Sequence, residues 1–228
     1  MNPLETSDWR LEQPIIAADL EGTLTSGETW RGIQAYLEQC GRGREYAAFA
    51  RRHLLDYLAA KIGVIPKRAF QNRWISDLPR LFAGATLEEF SEVAAWVAHN
   101  ELLPKLRQSP LSELRAARAS GARVILVSGT YQPVLEVFAA NFGFEAIGTP
   151  LGVLDGRLTG RLSGPVNAGA VKPSSLQRLI ATRVLARAYG DTMPDVPLLE
   201  LALEAVVVTG NDAALERLAE QRGWRKLE

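Results

Sequence analysis

The stretch DLEGTLT (Asp19–Thr25) follows the apolar run PIIAA (14–18) and sets Asp19 and Glu21 one residue apart where a buried strand should end. Two carboxylates so close disfavour each other's charge. Either a cation and a phosphate answer that repulsion, or the segment is a polar turn in which Asp19 caps a following helix. The rest of the chain decides between the two.

Working outward, four apolar runs end in small or polar residues: PIIAADL (14–20), ARVILVSG (122–129), LARAYGD (185–191) and EAVVVTG (204–210). Runs of this kind are what strands buried on both faces of a parallel sheet look like. Helix-like segments follow the later runs at 131–142, 173–182 and 194–202. Strand–helix alternation of this kind predicts an α/β fold, a doubly wound Rossmann-like parallel sheet covered on both faces. Asp155-Gly156, inside GTPLGVLDGRLTGRLSG, is a hairpin-turn signal.

Residues 26–105 hold no strand-like run. Tyr46, Phe49, Leu54, Tyr57, Leu58 and Ile62 recur at helical spacing, as do Phe90, Val93, Trp96 and Val97. This length exceeds a simple crossover and predicts an all-helical cap at 26–102, inserted after the first strand into a core made of 1–25 and 103–228. Ligands of open α/β sheets bind beyond the carboxyl ends of the strands. There the sequence brings Asp19, Glu21, Ser128 and Asp191 to one edge, with a lysine approaching.

Bulk properties bound the function. Among 228 residues, Lys plus Arg and Asp plus Glu each total 26, so the net charge is zero, against a nucleic-acid or membrane-surface role driven by bulk charge. No apolar run reaches the roughly 18 residues a membrane span needs. The opening MNPLETSDWRLEQ has neither a basic segment nor an apolar one, so it does not read as a secretory signal. Cys40 is the only cysteine, which suits a reducing compartment; it reads as a small buried residue. The expectation is a cytoplasmic protein, monomer or homodimer, with no nucleic-acid or membrane partner.

Taken together, DLEGTLT, VILVSGT (124–130), VKPSSLQRL (171–179) and YGDTMPD (189–195) resemble the four motifs of the haloacid dehalogenase superfamily. DGRLTGRLSGP (155–165) is similar to its phosphoserine-phosphatase-like branch, which carries a helical cap between the first two motifs. The resemblance implies a phosphatase acting on phosphoserine or another small phosphorylated substrate through an aspartyl-phosphate on Asp19, with Glu21 as general acid and base. It implies a magnesium ion on Asp19, the Glu21 carbonyl and Asp191, with Asp195 orienting Lys172 or metal-bound water. Thr23, Ser128, Gly129 and Thr130 would face the phosphate, and Lys172 would neutralise charge beside it. Two residues depart from the branch: Glu21 stands where aspartate is usual, and Pro194 where asparagine is. Glutamate occurs in catalytic relatives that include phosphotransferases, so transfer to an alcohol acceptor stands as an alternative to hydrolysis, and a non-catalytic phosphate-ligand-binding protein as another.

In the cap, Glu28 matches the residue that receives the substrate ammonium, or is an acidic residue in the first turn of a helix. Arg73 and Arg80 are the nearest matches to the arginine that holds a carboxylate, or are surface residues. Residues 42–80 carry nine basic side chains against three acidic ones, a bias suited to an anionic substrate or to a solvated face. Trp30, Phe70, Trp74 and Phe82 read first as core and second as pocket lining. His53 and His99 read as structural or surface residues.

Overall fold

The computed structural model describes residues 13–181 and 183–228. The N-terminal stretch read above as lacking a secretory signal lies, up to residue 12, outside the described residues, as does Thr182.

The elements run β1 (Ile15–Ala18), α1 (Thr29–Gln39), α2 (Gly43–Arg52), α3 (Leu54–Lys61), α4 (Lys67–Asp77), α5 (Leu87–Val97), α6 (Gln108–Ala119), β2 (Arg123–Tyr131), α7 (Gln132–Ala140) and β3 (Glu145–Thr149). They continue as β4 (Leu151–Leu154), β5 (Arg157–Leu162), α8 (Val171–Ile180), β6 (Leu185–Gly190), α9 (Val196–Leu199), β7 (Ala202–Val208), α10 (Ala213–Arg222) and β8 (Arg225–Leu227). Six strands form a parallel sheet in the order β3-β2-β1-β6-β7-β8. Ala17 stands between Ile125 on β2 and Ala188 on β6. β1 is therefore central, and all four of its residues are buried.

Period-two alternation splits the core into two layers. Ile16, Ala18, Val124, Leu126 and Val206 belong to one cluster, with Leu111 and Leu114 of α6 and Phe138 of α7. Ile15, Ala17, Ile125, Val127 and Val207 belong to the other, with Leu176 of α8 and Leu215 of α10. Burial on both faces is the reason these strands are written as unbroken apolar runs. The edge strands β3 (EAIGT) and β8 (RKL) are only partly buried and carry polar residues, so neither shows such a run.

Asp155 and Gly156 both take positive φ, 49° and 73°, between paired Leu154 and Arg157, so β4 and β5 form the hairpin the Asp-Gly dipeptide announces. The helix expected at 194–202 is broken instead. A 3₁₀ turn at Met193–Asp195 and the four-residue α9 replace it, each with a proline in its opening positions, and β7 begins at Ala202. α8 starts at Val171, so Lys172 lies inside the helix and not ahead of it.

Among the described residues, everything paired into the two sheets lies outside 19–122. α1–α6 fill that interval, with 3₁₀ turns at Leu78–Phe82 and Leu103–Lys105 and a π turn at Ala98–Leu102. The two ends of the insertion lie side by side: Ser26 N donates to Lys105 O (3.0 Å) and Arg107 N to Leu24 O (2.8 Å). α5 is started by a capping box of Thr86 and Glu89 and packs on α1 and α7, so the insertion shares a core cluster with the sheet. Cys40, expected buried, is exposed: it closes α1, where its backbone N–H bonds back to Tyr36 O and that of Gly41 to Glu38 O. No helix among the described residues is long and apolar enough to cross a membrane.

An ion network ties β6, β7 and β8 to α6. Arg225 donates to both oxygens of Glu113 (2.8 and 2.5 Å) and the Tyr189 hydroxyl adds a third bond (2.6 Å). The Arg225 bond, ahead of the opposing effect of burial, brings the Glu113 carboxyl from 4.5 down to about 2. A depressed carboxylate contributes stability that is present above pH 4.5 and lost as pH falls toward 2. Glu113→Gln is expected to cost about 1–2 kcal/mol at neutral pH, allowing for the pair's partial exposure. Denaturant titrations between pH 2 and 6 check this: the variant should lose the part of the acid slope that the wild type shows in that window.

Candidate active site

Asp19 leaves β1 with its N–H bonded to Tyr189 O on β6 (3.0 Å), which aims the residue across the carboxyl edge of the sheet. There Lys172 Nζ donates to Asp19 Oδ1 (2.5 Å) and to Asp195 Oδ1 (2.6 Å). Lys172 is 3% exposed, and a lysine so buried requires partners of this kind. Burial works against its charge, but the two carboxylates outweigh it and keep the ammonium protonated. Asp195 is fixed in turn, because its Oδ2 accepts from the backbone N–H of Asp191 (3.2 Å), from that of Thr192 (3.1 Å) and from the Thr192 hydroxyl (3.0 Å).

Asp191 is gripped separately. Thr23 Oγ1 donates to its Oδ1 and Asn211 Nδ2 to its Oδ2, both at 2.9 Å. Gly22, at φ +90°, makes this approach possible: a Cβ there would lie 2.0 Å from Asp191 Oδ2. The Gly22 carbonyl is held by Arg107 (2.5 Å) and Asn211 (3.1 Å). Thr23, expected at the phosphate, is fully buried and is not among the residues that line the cavity over the sheet edge; its hydroxyl faces Asp191 Oδ1 (2.9 Å) and Asp19 Oδ2 (3.5 Å).

Oxygen atoms of Asp19, Asp191 and Asp195 lie within 4.8 Å of one another. Burial, opposed by Lys172, pushes Asp19 up to about 7; burial and the neighbouring Asp195 charge push Asp191 up to about 6. Three buried carboxylates face one ammonium, so the cluster is short of positive charge. Its donors are hard oxygens, the set a small divalent cation such as magnesium takes. The residues present fit such an ion. Asp195 accepts four hydrogen bonds, one from Lys172 and three within its own loop, against two on Asp191, so Asp19 and Asp191 are the better-placed donors.

Glu21 stands apart from the cluster. Its Oε1 accepts from Thr29 N (3.0 Å), Thr29 Oγ1 (2.5 Å) and Thr130 Oγ1 (2.9 Å). Burial raises its pKa more than these bonds lower it. Thr29 is the first residue of α1, so the helix N-terminus also fixes Glu21 in place. β2 runs on to Tyr131, which carries Ser128, Gly129 and Thr130 up beside Glu21.

A cavity of about 880 Å³ opens over this edge. Asp19, Glu21, Glu28, Ser128, Gly129, Thr130, Lys172 and Asp195 all line it. Arg73 and Arg80 do not: they form exposed ion pairs with Asp56 and Asp77, more than 60% of each side chain reaching solvent. Arg68 is the arginine at the cavity. It reaches from α4 to Ala168 O (3.4 Å), and its guanidinium lies over Gly169 so closely that a Cβ there would push it aside. Trp30, Phe70 and Trp74 line the cavity as well, whereas Phe82 packs in the core against Phe90 (centroids 5.2 Å apart). His53 also lines it; His99 is exposed, its Nδ1 at 2.8 Å from Ala95 O.

Arg107, Thr29 and Asn211 are site residues that sequence reasoning misses. Asn211 had a signal: it follows the carboxyl end of EAVVVTG, where the same rule that selects Ser128 and Asp191 applies. Thr29 and Arg107 act through contacts with Glu21 and the Gly22 carbonyl, which no local pattern marks.

The profile of the haloacid dehalogenase-like hydrolases matches residues 16–200. The chain belongs to this family. A putative hydrolase of Mycobacterium leprae is 34% identical over 219 residues, covering 90% of this chain and 69% of the relative. A phosphoserine phosphatase of Mycobacterium tuberculosis is 34% identical over 110 residues; the shared stretch is 46% of this chain and only 35% of that protein's length. Among solved structures, a Bordetella pertussis protein of unknown function superposes with a TM-score of 0.78 at 22% identity, covering 95% of this chain and 99% of that one. At that identity the likeness speaks for the fold alone. The family match takes in every residue of this haloacid dehalogenase-like chain from Asp19 to Asp195 and stops short of Asn211.

Proposed function

We propose that this protein is a magnesium-dependent phosphomonoesterase that moves the phosphoryl group of a small phosphorylated substrate to Asp19 and then to water. The observation that carries the reading is the buried Asp195–Lys172–Asp19 relay at the sheet edge, opening on a cavity that Glu21 also lines. An Asp19 oxygen attacks phosphorus as the bond to the ester oxygen breaks, and Glu21 gives that oxygen its proton. Glu21 then takes a proton from water, whose oxygen attacks phosphorus and frees Asp19 and inorganic phosphate. Lys172 holds positive charge beside the transferred group, and the Ser128 hydroxyl with the backbone N–H groups of Gly129 and Thr130 would meet its oxygens. Asp19, Asp191 and the Glu21 carbonyl would hold the ion, which when bound offsets the repulsion between phosphate and nucleophile.

On this reading residues 26–102 are a cap over a core of 1–25 and 103–228, supported by the paired ends of the insertion. The cap supplies the substrate's surroundings. Lys61, Lys67 and Arg68 bring positive charge to the cavity, and Glu28, which pairs with Arg31, is the carboxylate assigned to an ammonium such as that of phosphoserine.

Phosphate release from an aryl phosphate should require magnesium and stop in excess chelator; undiminished release in chelator would remove the metal from the mechanism. The ion should also act on stability. Asp19 and Asp191, raised above their ordinary range, favour the folded metal-free chain below pH 4 and cost stability as pH rises through 6 and 7. Magnesium should therefore raise the melting temperature by several degrees near pH 7.5 at about 100 times its dissociation constant, and by less at pH 5. Asp191→Asn should abolish that shift.

A further inference from the structure

Beside the cavity, α3 carries an apolar stripe that lies outside it. Leu54, Leu55, Tyr57, Leu58, Ile62 and Val64 all stand exposed within residues 54–64. Elsewhere among the described residues, exposed large apolar side chains stand singly or as the pair Val153–Leu154. Scattered ones are ordinary, whereas a patch calls for a partner. α3 supplies most of this one and buries none of its residues. Two contacts fix which way the helix faces: Asp56 pairs with Arg73 of α4 (2.7 Å), and the Tyr57 ring packs on Phe70 (centroids 5.8 Å apart). Leu54 and Tyr57 line the cavity. Leu55, Leu58 and Ile62, spaced at i, i+3 and i+7, do not; they form the stripe and are 78%, 45% and 75% exposed.

The charge around that stripe is one-sided. From 46 to 76 the chain has six basic side chains and a single acidic one, Asp56, which Arg73 already holds. Arg51 and Arg52 at the end of α2, Lys61 in the last turn of α3 and Lys67 at the start of α4 are exposed, and none takes part in an ion pair among the described residues. The zero net charge that argues against a membrane surface is an average over the whole chain, and this face departs from it. A symmetric contact between two copies would set the same cations against one another, with Asp56 already taken. An anionic bilayer answers both features, because its headgroup layer receives cations at the surface and apolar side chains just beneath.

We infer that the α3 face is a docking surface for an anionic lipid bilayer, with Leu55, Leu58, Ile62 and Val64 entering the boundary between headgroups and acyl chains and Arg51, Arg52, Lys61 and Lys67 meeting lipid phosphates. Docking of this kind is peripheral and reversible, and no helix among the described residues is long and apolar enough to cross the membrane. It does not depend on the phosphatase reading, because neither the stripe nor Arg51 and Arg52 line the cavity. Lys61 and Lys67 belong to both surfaces, so a docked bilayer borders the cavity.

The test is co-sedimentation of the full chain with sucrose-loaded vesicles of phosphatidylcholine alone, or of equal parts phosphatidylcholine and phosphatidylglycerol. The chain should partition onto the anionic vesicles and hardly at all onto the neutral ones. Binding should weaken as salt is raised from about 0.1 to 1 M, which shortens the screening length from about 10 to 3 Å. Leu55→Ser combined with Ile62→Ser should lower the partition by about tenfold or more. Arg51→Ser and Arg52→Ser should each lower it by about fivefold. All four positions are exposed, so these variants should keep the wild-type melting temperature. Leu203→Ser, at an equally exposed leucine of β7 (81%), is the control and should bind as the wild type does. No partition at all, equal partition onto both kinds of vesicle, or an equal loss with Leu203→Ser overturns the inference. So does a wild-type dimer in solution that Leu55→Ser dissolves, which would assign the stripe to a second copy of the chain.

Discussion

Asp19→Asn is expected to bring phosphate release down to background, a loss of about 10⁴-fold or more, since an amide cannot replace the attacking carboxylate. The variant should fold. Asparagine has nearly the same shape, Lys172 keeps its bond to Asp195, and the cluster sheds a buried charge that is costly enough to lift Asp19 to about 7. The melting temperature of the metal-free variant should therefore equal or exceed that of the wild type, which separates lost chemistry from lost structure. With the wild type, rapid quenching during turnover should leave a phosphoryl group on the peptide containing Asp19. Ser128 and Thr130 line the same cavity and carry hydroxyls, so label on either of them would overturn the assignment of the nucleophile.

What the sequence made legible follows from where physics is local. Strands buried on both faces must be apolar throughout, so the four central runs could be read, whereas β3 and β8 at the sheet edges left no such mark. The carboxyl-edge rule brought Asp19, Glu21, Ser128 and Asp191 together because topology alone decides which strand ends share an edge. Lys172 was legible only through its motif; that it sits inside α8 and bridges two carboxylates depends on packing between segments far apart in the chain. The cap was harder still. Helical spacing announced its helices, but which of their side chains face the cavity depends on how they pack together. Arg73 and Arg80 therefore turned outward to Asp56 and Asp77 while Arg68 turned inward, and a histidine with no metal-ligand spacing proved to line the cavity.

Glu21→Gln is expected to lose about 10²–10⁴-fold, the usual contribution of a general acid and base, and the size of the loss should depend on the leaving group. An alkoxide needs a proton as it departs, whereas an aryl oxide hardly does, so the first step should suffer most with alkyl esters. The second step, in which water is activated, is the same for every substrate and sets a common floor to the loss. The side chain suits both tasks. Three donors from Thr29 and Thr130 converge on Oε1 and fix the carboxyl group, while burial raises its pKa and eases protonation. Glutamine preserves an oxygen for those donors, so the variant should keep its melting temperature and lose only proton transfer. Equal losses in kcat/KM for alkyl and aryl esters, a ratio that excludes the shared second step, would mean that Glu21 does not protonate the leaving group. Thr29→Val gives a second reading of the same device. It removes the hydroxyl bond to Oε1 but leaves the backbone N–H of residue 29 in place, so it should lower activity less than Glu21→Gln while shifting the pH profile toward higher pH. That direction is fixed by sign: a bond that stabilises the carboxylate lowers its pKa, and losing it lets the group hold its proton further up the pH scale.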